Sequence, residues 1–241
     1  MYDFHCHILP GLDDGPKTID ESVEMAAALC KAGFTGVYCT PHLIKSLYEA
    51  GNESVMALLV ALQTRLNNEN ISLELFPGRE YYLDEFLSGY LENPLPLGET
   101  DFIMLEIPIH ISPELIKDAC YLIKRRGFIP MIAHPERCNI FSTPQQKEKS
   151  WFKFTNSQRN DKNSKQYKSS RLVEYLKDIG CAFQGDFGSF IGLYGERAQK
   201  TANTLRKMEV YTHFGTDLHS RAGIKFLKGD VKGECLTTRE Q

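Results

Sequence analysis

The chain has a single tryptophan in 241 residues and no CxxC pair among its seven cysteines. No apolar run approaches the roughly 18 residues that a membrane-spanning helix needs, which excludes that class of membrane protein. Acidic and basic residues nearly cancel, leaving a net charge of −3 and a pI near 6.2. There is therefore no overall electrostatic reason to bind nucleic acid or an anionic membrane. The cysteine number is odd and most lie in apolar segments, as reduced core thiols do. Asp3 and His5 stand where a secretory leader would be apolar. These absences predict a cytoplasmic chain. At 42% hydrophobic and 24% charged residues, the length suits one large domain over 1–241.

What is present is an alternation of short apolar runs and longer amphipathic segments. Thr18 and Glu21 (T-x-x-E) form a capping box before SVEMAAALCKAG, with Gly33 as its stop. FTGVYCTPH reads as a second strand, a helix follows over about 53–68, and ISLELFPGREYY carries a third strand. FIMLEI is a fourth, SPELIKDACYLIKRRG a helix with Ser112 as cap and Pro113 in its first turn, and FIPMIAHPER a fifth strand. Helices at RLVEYLKDIG and YGERAQKTANTLRKM flank a strand at CAFQGDFG, and YTHFGTDLH supplies another. Strands alternating with helices predict a parallel α/β architecture. One stretch, 142–170, is rich in Gln, Asn, Lys and Ser and reads as a solvated insertion. The alternative for it is a basic flap that carries Trp151 and Phe152. The tail from Gly223 shows no convincing full helix.

The chemistry lies at strand ends. His5 and His7 are i and i+2 in the first strand, so both imidazoles leave one face and Cys6 leaves the other. An isolated HxH is as often incidental as functional. Here His42, Glu80, Glu106, His134, Asp217 and His219 recur at or just past the ends of later strands, and Asp14 follows the first. In a β/α barrel those ends converge on one mouth. Five of the seven histidines belong to this set, while His110 and His213 lie outside it. Mixed imidazole and carboxylate donors suit Mn, Fe or Zn. Nine donors exceed what one ion takes, so two or three ions sharing carboxylates are expected. Such a site suits phosphoester hydrolysis by a metal-activated water. Arg137, three residues past His134, is placed to grip phosphate oxygens; its alternative is a salt bridge to a neighbouring carboxylate.

The series DFHCHILPGLDDG, TPH, PGREYY, FIMLEIP, AHPER and GTDLHS resembles the polymerase and histidinol phosphatase (PHP) family of phosphoesterases. Within it, the chain is most similar to the bacterial CpsB/CapC/YwqE-type protein-tyrosine phosphatases, over residues 1 to about 219. The resemblance implies a distorted (β/α)7 barrel and a trinuclear, manganese-favouring site. It implies that His5, His7, Glu80 and Asp217 hold one ion, that Glu80, Glu106 and His134 hold a second, and that Asp14, His42 and His219 hold the third. Asp13 is then a partner of the ligands. The implied substrate is phosphotyrosine on a bacterial tyrosine kinase regulating capsule or exopolysaccharide synthesis. The family's second phosphate-binding arginine has no aligned counterpart, since Ile224 stands there, and Arg221 is the substitute. In FQGDFGSFIGLYG, Asp186 occupies a place where a small or amide residue is usual.

Two other readings compete. A small-molecule phosphomonoesterase acting on histidinol phosphate or a similar compound shares the chemistry, and a metal-binding regulatory module shares the ligands without turnover. Cys120 and Arg126 match C-x5-R, the letters of a cysteine-dependent tyrosine phosphatase. That loop needs glycines whose N–H groups cradle phosphate. The intervening YLIKR sits in a predicted helix, so the match is coincidental.

Overall fold

The structure, a computed structural model, describes residues 1–142 and 171–223. Nearly all of the expected polar insertion, with Trp151 and Phe152, and the tail that includes Ile224 lie outside the described residues. The elements run β1 (Tyr2–Cys6), α1 (Ile19–Ala32), β2 (Gly36–Cys39), β3 (His42–Leu43), α2 (Asn52–Asn68), β4 (Glu74–Pro77), β5 (Glu80–Tyr82) and α3 (Leu87–Tyr90). They continue with β6 (Phe102–Glu106), α4 (Pro113–Arg125) and β7 (Ile129–Ala133). After helical residues 171–178 (α5) come β8 (Ala182–Asp186), α6 (Phe187–Phe190), α7 (Gly195–Lys207) and β9 (His213–Gly215).

Local chemistry sets the helix ends. The Thr18 hydroxyl accepts the Glu21 N–H while the Glu21 carboxylate accepts the Thr18 N–H, both at 3.3 Å, so two amides that α1 leaves unpaired are satisfied. Gly33 ends α1 at φ 91°, a conformation that favours glycine, and returns its N–H to Cys30 O. Ser112 caps α4, with Pro113 at its first position. The apolar stripe of α1 (Val23, Met25, Ala26, Leu29) packs with Val55, Leu59 and Leu62 of α2 and with Cys6 and Val37 of the strands. A second core joins Ile103 and Leu105 of β6 to Ile116, Cys120 and Ile123 of α4 and to Leu172 and Leu176 of α5.

Every ladder between these strands is parallel. They form two sheets, in the orders β1-β2-β4 and β3-β5-β6-β7-β8-β9. The expected single (β/α)7 sheet is thus interrupted, and the reason lies in two strand breaks. FTGVYCTPH divides at Thr40-Pro41 and ELFPGREYY at Gly78-Arg79, so each contributes one half to either sheet. Pro41 has no N–H to donate, and the Thr40 N–H goes to Cys6 O at 3.0 Å. At the other flank the chain after β9 meets β1: His7 N–H donates to Leu218 O at 3.0 Å and Asp217 N–H to His5 O at 2.7 Å. Buried Asp3 reinforces this seam, accepting from the N–H groups of His5 and Thr216 and from the Thr216 hydroxyl. These contacts bring His5, His7 and Asp217 together, although some 200 residues separate them in the chain.

Candidate metal centre

The first strand delivers Asp3, His5 and His7 to one face, all fully buried. His42 and Glu80 open β3 and β5 and face each other in register, and Glu106 ends β6. His134 and Asp217 follow β7 and β9 with φ of 28° and 47°. Non-glycine residues rarely adopt such angles, and here they turn both side chains off their strand ends.

The four innermost groups meet closely. His5 Nε2 lies 3.1 Å from Glu80 Oε2 and 3.2 Å from Asp217 Oδ1. His7 Nε2 lies 3.2 and 3.1 Å from the same two oxygens, and the two Nε2 atoms are 3.1 Å apart. Each ring's other nitrogen faces an acceptor: His5 Nδ1 meets Gln184 Oε1 at 3.0 Å and His7 Nδ1 meets Asp13 Oδ2 at 2.7 Å. With neutral rings, those partners hold the proton on Nδ1 and leave Nε2 a bare lone pair. Two lone pairs and two carboxylate oxygens then converge with no donor between them. Glu80 Oε2, Asp217 Oδ1 and His42 Nδ1 are accordingly buried without a hydrogen-bond partner. Such a set needs positive charge at its centre. Burial pushes the His5 imidazole down, but Glu80 and Asp217 outweigh it and lift it to about 9. The donors fit a divalent first-row ion.

Two further groupings share these atoms. His42 Nδ1 is 3.0 Å from Glu80 Oε2 and 3.6 Å from Glu106 Oε2, so His42, Glu80 and Glu106 could hold an ion. Burial and the neighbouring Glu80 charge push the Glu106 carboxyl up to about 7. On the outer side, Asp14 Oδ1 lies 3.3 Å from His219 Nε2 and 3.8 Å from His42 Nε2, and His7, Asp14, His42 and His219 form a third group. His219 Nδ1 faces the Asp217 carbonyl at 2.9 Å, again leaving Nε2 toward the cluster. His42 thus turns one nitrogen to each of two groups. His134 stands outside the three groupings, with Nε2 2.9 Å from Glu80 Oε1.

The arginines are placed differently. The Arg137 guanidinium pairs through Nη2 with Asp186 and, at 2.6 Å, with Asp217 Oδ2. The carboxylate salt bridge, the alternative reading of Arg137 from the sequence, is present. Arg221 is exposed and pairs with Glu24 of α1 at 2.9 Å. Cys120 is buried in α4 against Cys181, which together with burial pushes its thiol up. It has no phosphate-cradling loop. Gln184 is a site residue that the sequence reading missed: its Oε1 also accepts the His134 N–H at 3.1 Å. The available signal was a lone amide in the short strand AFQGD, two residues before Asp186.

A buried set of histidines and carboxylates at the ends of parallel strands marks an α/β protein with a candidate metal site, and comparison with known proteins narrows that class. The family model for capsular polysaccharide synthesis proteins CpsB/CapC matches residues 1–151, and the chain belongs to that family. It is 30% identical to the tyrosine-protein phosphatase YwqE of Bacillus subtilis over 224 residues, covering 91% of this chain and 78% of that one. The tyrosine-protein phosphatase CpsB of Streptococcus agalactiae serotype V is 27% identical over 62% of each chain. Among solved structures, a chain from work on B. subtilis YwqE and Streptococcus pneumoniae CpsB, described as metal-dependent tyrosine phosphatases, superposes with a TM-score of 0.76. It is 27% identical, with 93% of this chain and 81% of that one covered. A histidinol phosphate phosphatase of Lactococcus lactis shares the fold at a TM-score of 0.54 and 12% identity.

Proposed function

We propose that the cluster holds two or three divalent cations, manganese in preference to iron or zinc, and that the protein hydrolyses phosphotyrosine on a protein substrate. It is a metal-dependent phosphoric monoester hydrolase of the tyrosine-phosphatase type. The observation that carries this reading is the meeting of two Nε2 atoms with Glu80 Oε2 and Asp217 Oδ1, a donor set suited to a divalent cation. His5, His7, Glu80 and Asp217 hold one ion. Glu80, Glu106 and His134 would hold a second, with His42 Nδ1 3.0 Å from Glu80 Oε2, and Asp14, His42 and His219 would hold the third. When bound, the cations acidify water and neutralise charge developing on the phosphoryl group.

The remaining steps belong to the chain. Gln184 and Asp13 keep the His5 and His7 rings in the donor tautomer. Arg137 borders the cluster through Asp217 and offers N–H groups to phosphate oxygens. We assign the whole chain, 1–241, to one domain of the distorted (β/α)7 type, with β2/β3 and β4/β5 each counted as one broken strand. A bacterial tyrosine kinase of capsule or exopolysaccharide synthesis is the proposed partner, and the cytoplasm the proposed location. No helix among the described residues is long and apolar enough to cross a membrane.

Purified protein loaded with Mn2+ should hydrolyse p-nitrophenyl phosphate and a phosphotyrosine peptide, and chelator should abolish both activities. Phosphoserine peptides and histidinol phosphate assayed alongside decide the substrate class. Preference for histidinol phosphate would replace this reading with a small-molecule phosphatase. Metal uptake without turnover of any phosphomonoester would replace it with a regulatory module.

A further inference from the structure

Arg137 is held more firmly than a residue that only awaits substrate. Its Nη2 is shared between Asp186, at the end of β8, and Asp217 Oδ2, after β9. The Tyr194 ring covers its guanidinium with the carbon 3.6 Å from the ring centroid. Arg197 of α7 donates to the Arg137 carbonyl at 2.7 Å. Asp186 is fixed in turn: its Oδ1 accepts the Gly188 N–H at 2.8 Å, and its own N–H donates to buried Glu136 at 2.9 Å. Asp186 is fully buried and belongs to none of the candidate ion groups. Arg137 Nε is also buried, with no hydrogen-bond partner.

We propose that Asp186 is a positioning residue acting through Arg137: it anchors Nη2 so that the guanidinium is held against Asp217, beside the cluster where the substrate phosphate would bind. The inference rests on the phosphatase reading above for the identity of the ligand. Its geometric half stands apart from turnover. Two carboxylates from successive strand ends fix two of the guanidinium's N–H directions, and the Tyr194 face fixes the plane, so the fork is pre-oriented before phosphate arrives. The carboxylate offers two acceptor oxygens and a negative charge where an amide offers one oxygen and none. Asn at 186 has a single acceptor oxygen for two donors, the Gly188 N–H and the Arg137 guanidinium, so one of them loses its partner, and the anchor loses its charge in either orientation.

Asp186→Asn tests this. In the metal-loaded protein, KM for a phosphotyrosine peptide and the inhibition constant of inorganic phosphate should both rise about tenfold, the scale of one charge-assisted hydrogen bond. Metal content should be unchanged. In an Arg137→Ala background the same substitution should add less than about twofold, because the two residues act as one unit. In metal-free protein the Arg137 Nε–H resonance should be sharp in wild type and broadened or lost in Asp186→Asn. A folded Asp186→Asn protein with unaltered phosphate inhibition, a persisting Nε–H signal, or full additivity with Arg137→Ala would overturn the proposal. If Asp186→Asn does not fold, Tyr194→Leu replaces it, with the same expected rise in the inhibition constant and the same loss of effect beside Arg137→Ala. A wild-type protein that turns over no phosphomonoester would end the phosphatase reading, while the resonance would still decide the anchoring of Arg137.

Discussion

Asp13 and Asp14 are adjacent letters with opposite surroundings. Asp14 is half-exposed at the outer candidate group, whereas buried Asp13 accepts hydrogen bonds from His7 Nδ1 at 2.7 Å, the His42 N–H at 3.0 Å and the Gly15 N–H at 2.9 Å. Burial raises the Asp13 carboxyl, but the His7 bond and charge outweigh it and hold it well below the usual carboxylate range. Asp13→Ala should therefore loosen two ligand histidines while removing no ligand, weakening metal affinity by about 10- to 100-fold. A competition titration against a chelating dye measures this; affinity equal to wild type would show that Asp13 does not orient the cluster. The resemblance carried by DFHCHILPGLDDG assigns Asp14 to an ion and Asp13 to the ligands' partners, whereas the letters DDG alone do not separate them. A residue's choice between metal and neighbouring histidine depends on a few ångströms of loop path, which local sequence does not encode.

At the level of elements, the chain is largely legible because caps and periodicity act over four or five residues. Thr18, Gly33, Ser112 and Pro113 mark helix ends as their chemistry requires. Thr18→Ala should cost about 1 kcal/mol of stability, read by chemical denaturation, with metal content unchanged. The breaks in strands at Thr40-Pro41 and Gly78-Arg79 were less legible, since a proline near a strand end is common and only the partner strands reveal which half goes where. Gly215 shows how tightly β9 is seated: a Cβ there would lie 2.6 Å from both the Cβ and the N of His5. Gly215→Ala should push the two strands apart, costing about 1–3 kcal/mol. It should also weaken metal uptake, because His5 sits on one side of that contact and Asp217 on the other. Wild-type stability in that variant would mean the seam relaxes without cost.

For the whole molecule, His213 reports on folding separately from the metal centre. It packs between the rings of Phe4 and Phe102, with centroids at 4.4 and 4.9 Å, and burial pushes its imidazole down to about 4. The unfolded value is about 6.5. As pH falls between these values the unfolded chain takes up a proton that the folded chain refuses. The contribution of His213 is therefore full above about pH 6.5 and declines toward pH 4. In chelator-treated protein, His213→Phe should lose less of its melting temperature than wild type between about pH 7.5 and 5. Equal losses would assign the acid sensitivity to other groups.

The sequence by itself determined the helix caps, the order of parallel strands and helices, and the donor types of the centre, from His5 to His219. Each of these is a property of a residue or a short window. Only the tertiary structure decided which histidine nitrogen faces the cluster, that Gln184 and Asp13 hold the rings, that the sheet divides in two, and that Arg137 is shared between Asp186 and Asp217. Those outcomes depend on distances between residues far apart in the chain. The Arg137–Asp186 pair is separated by 49 positions and the Asp3–Thr216 pair by 213, and such distances exist only once the strands have paired.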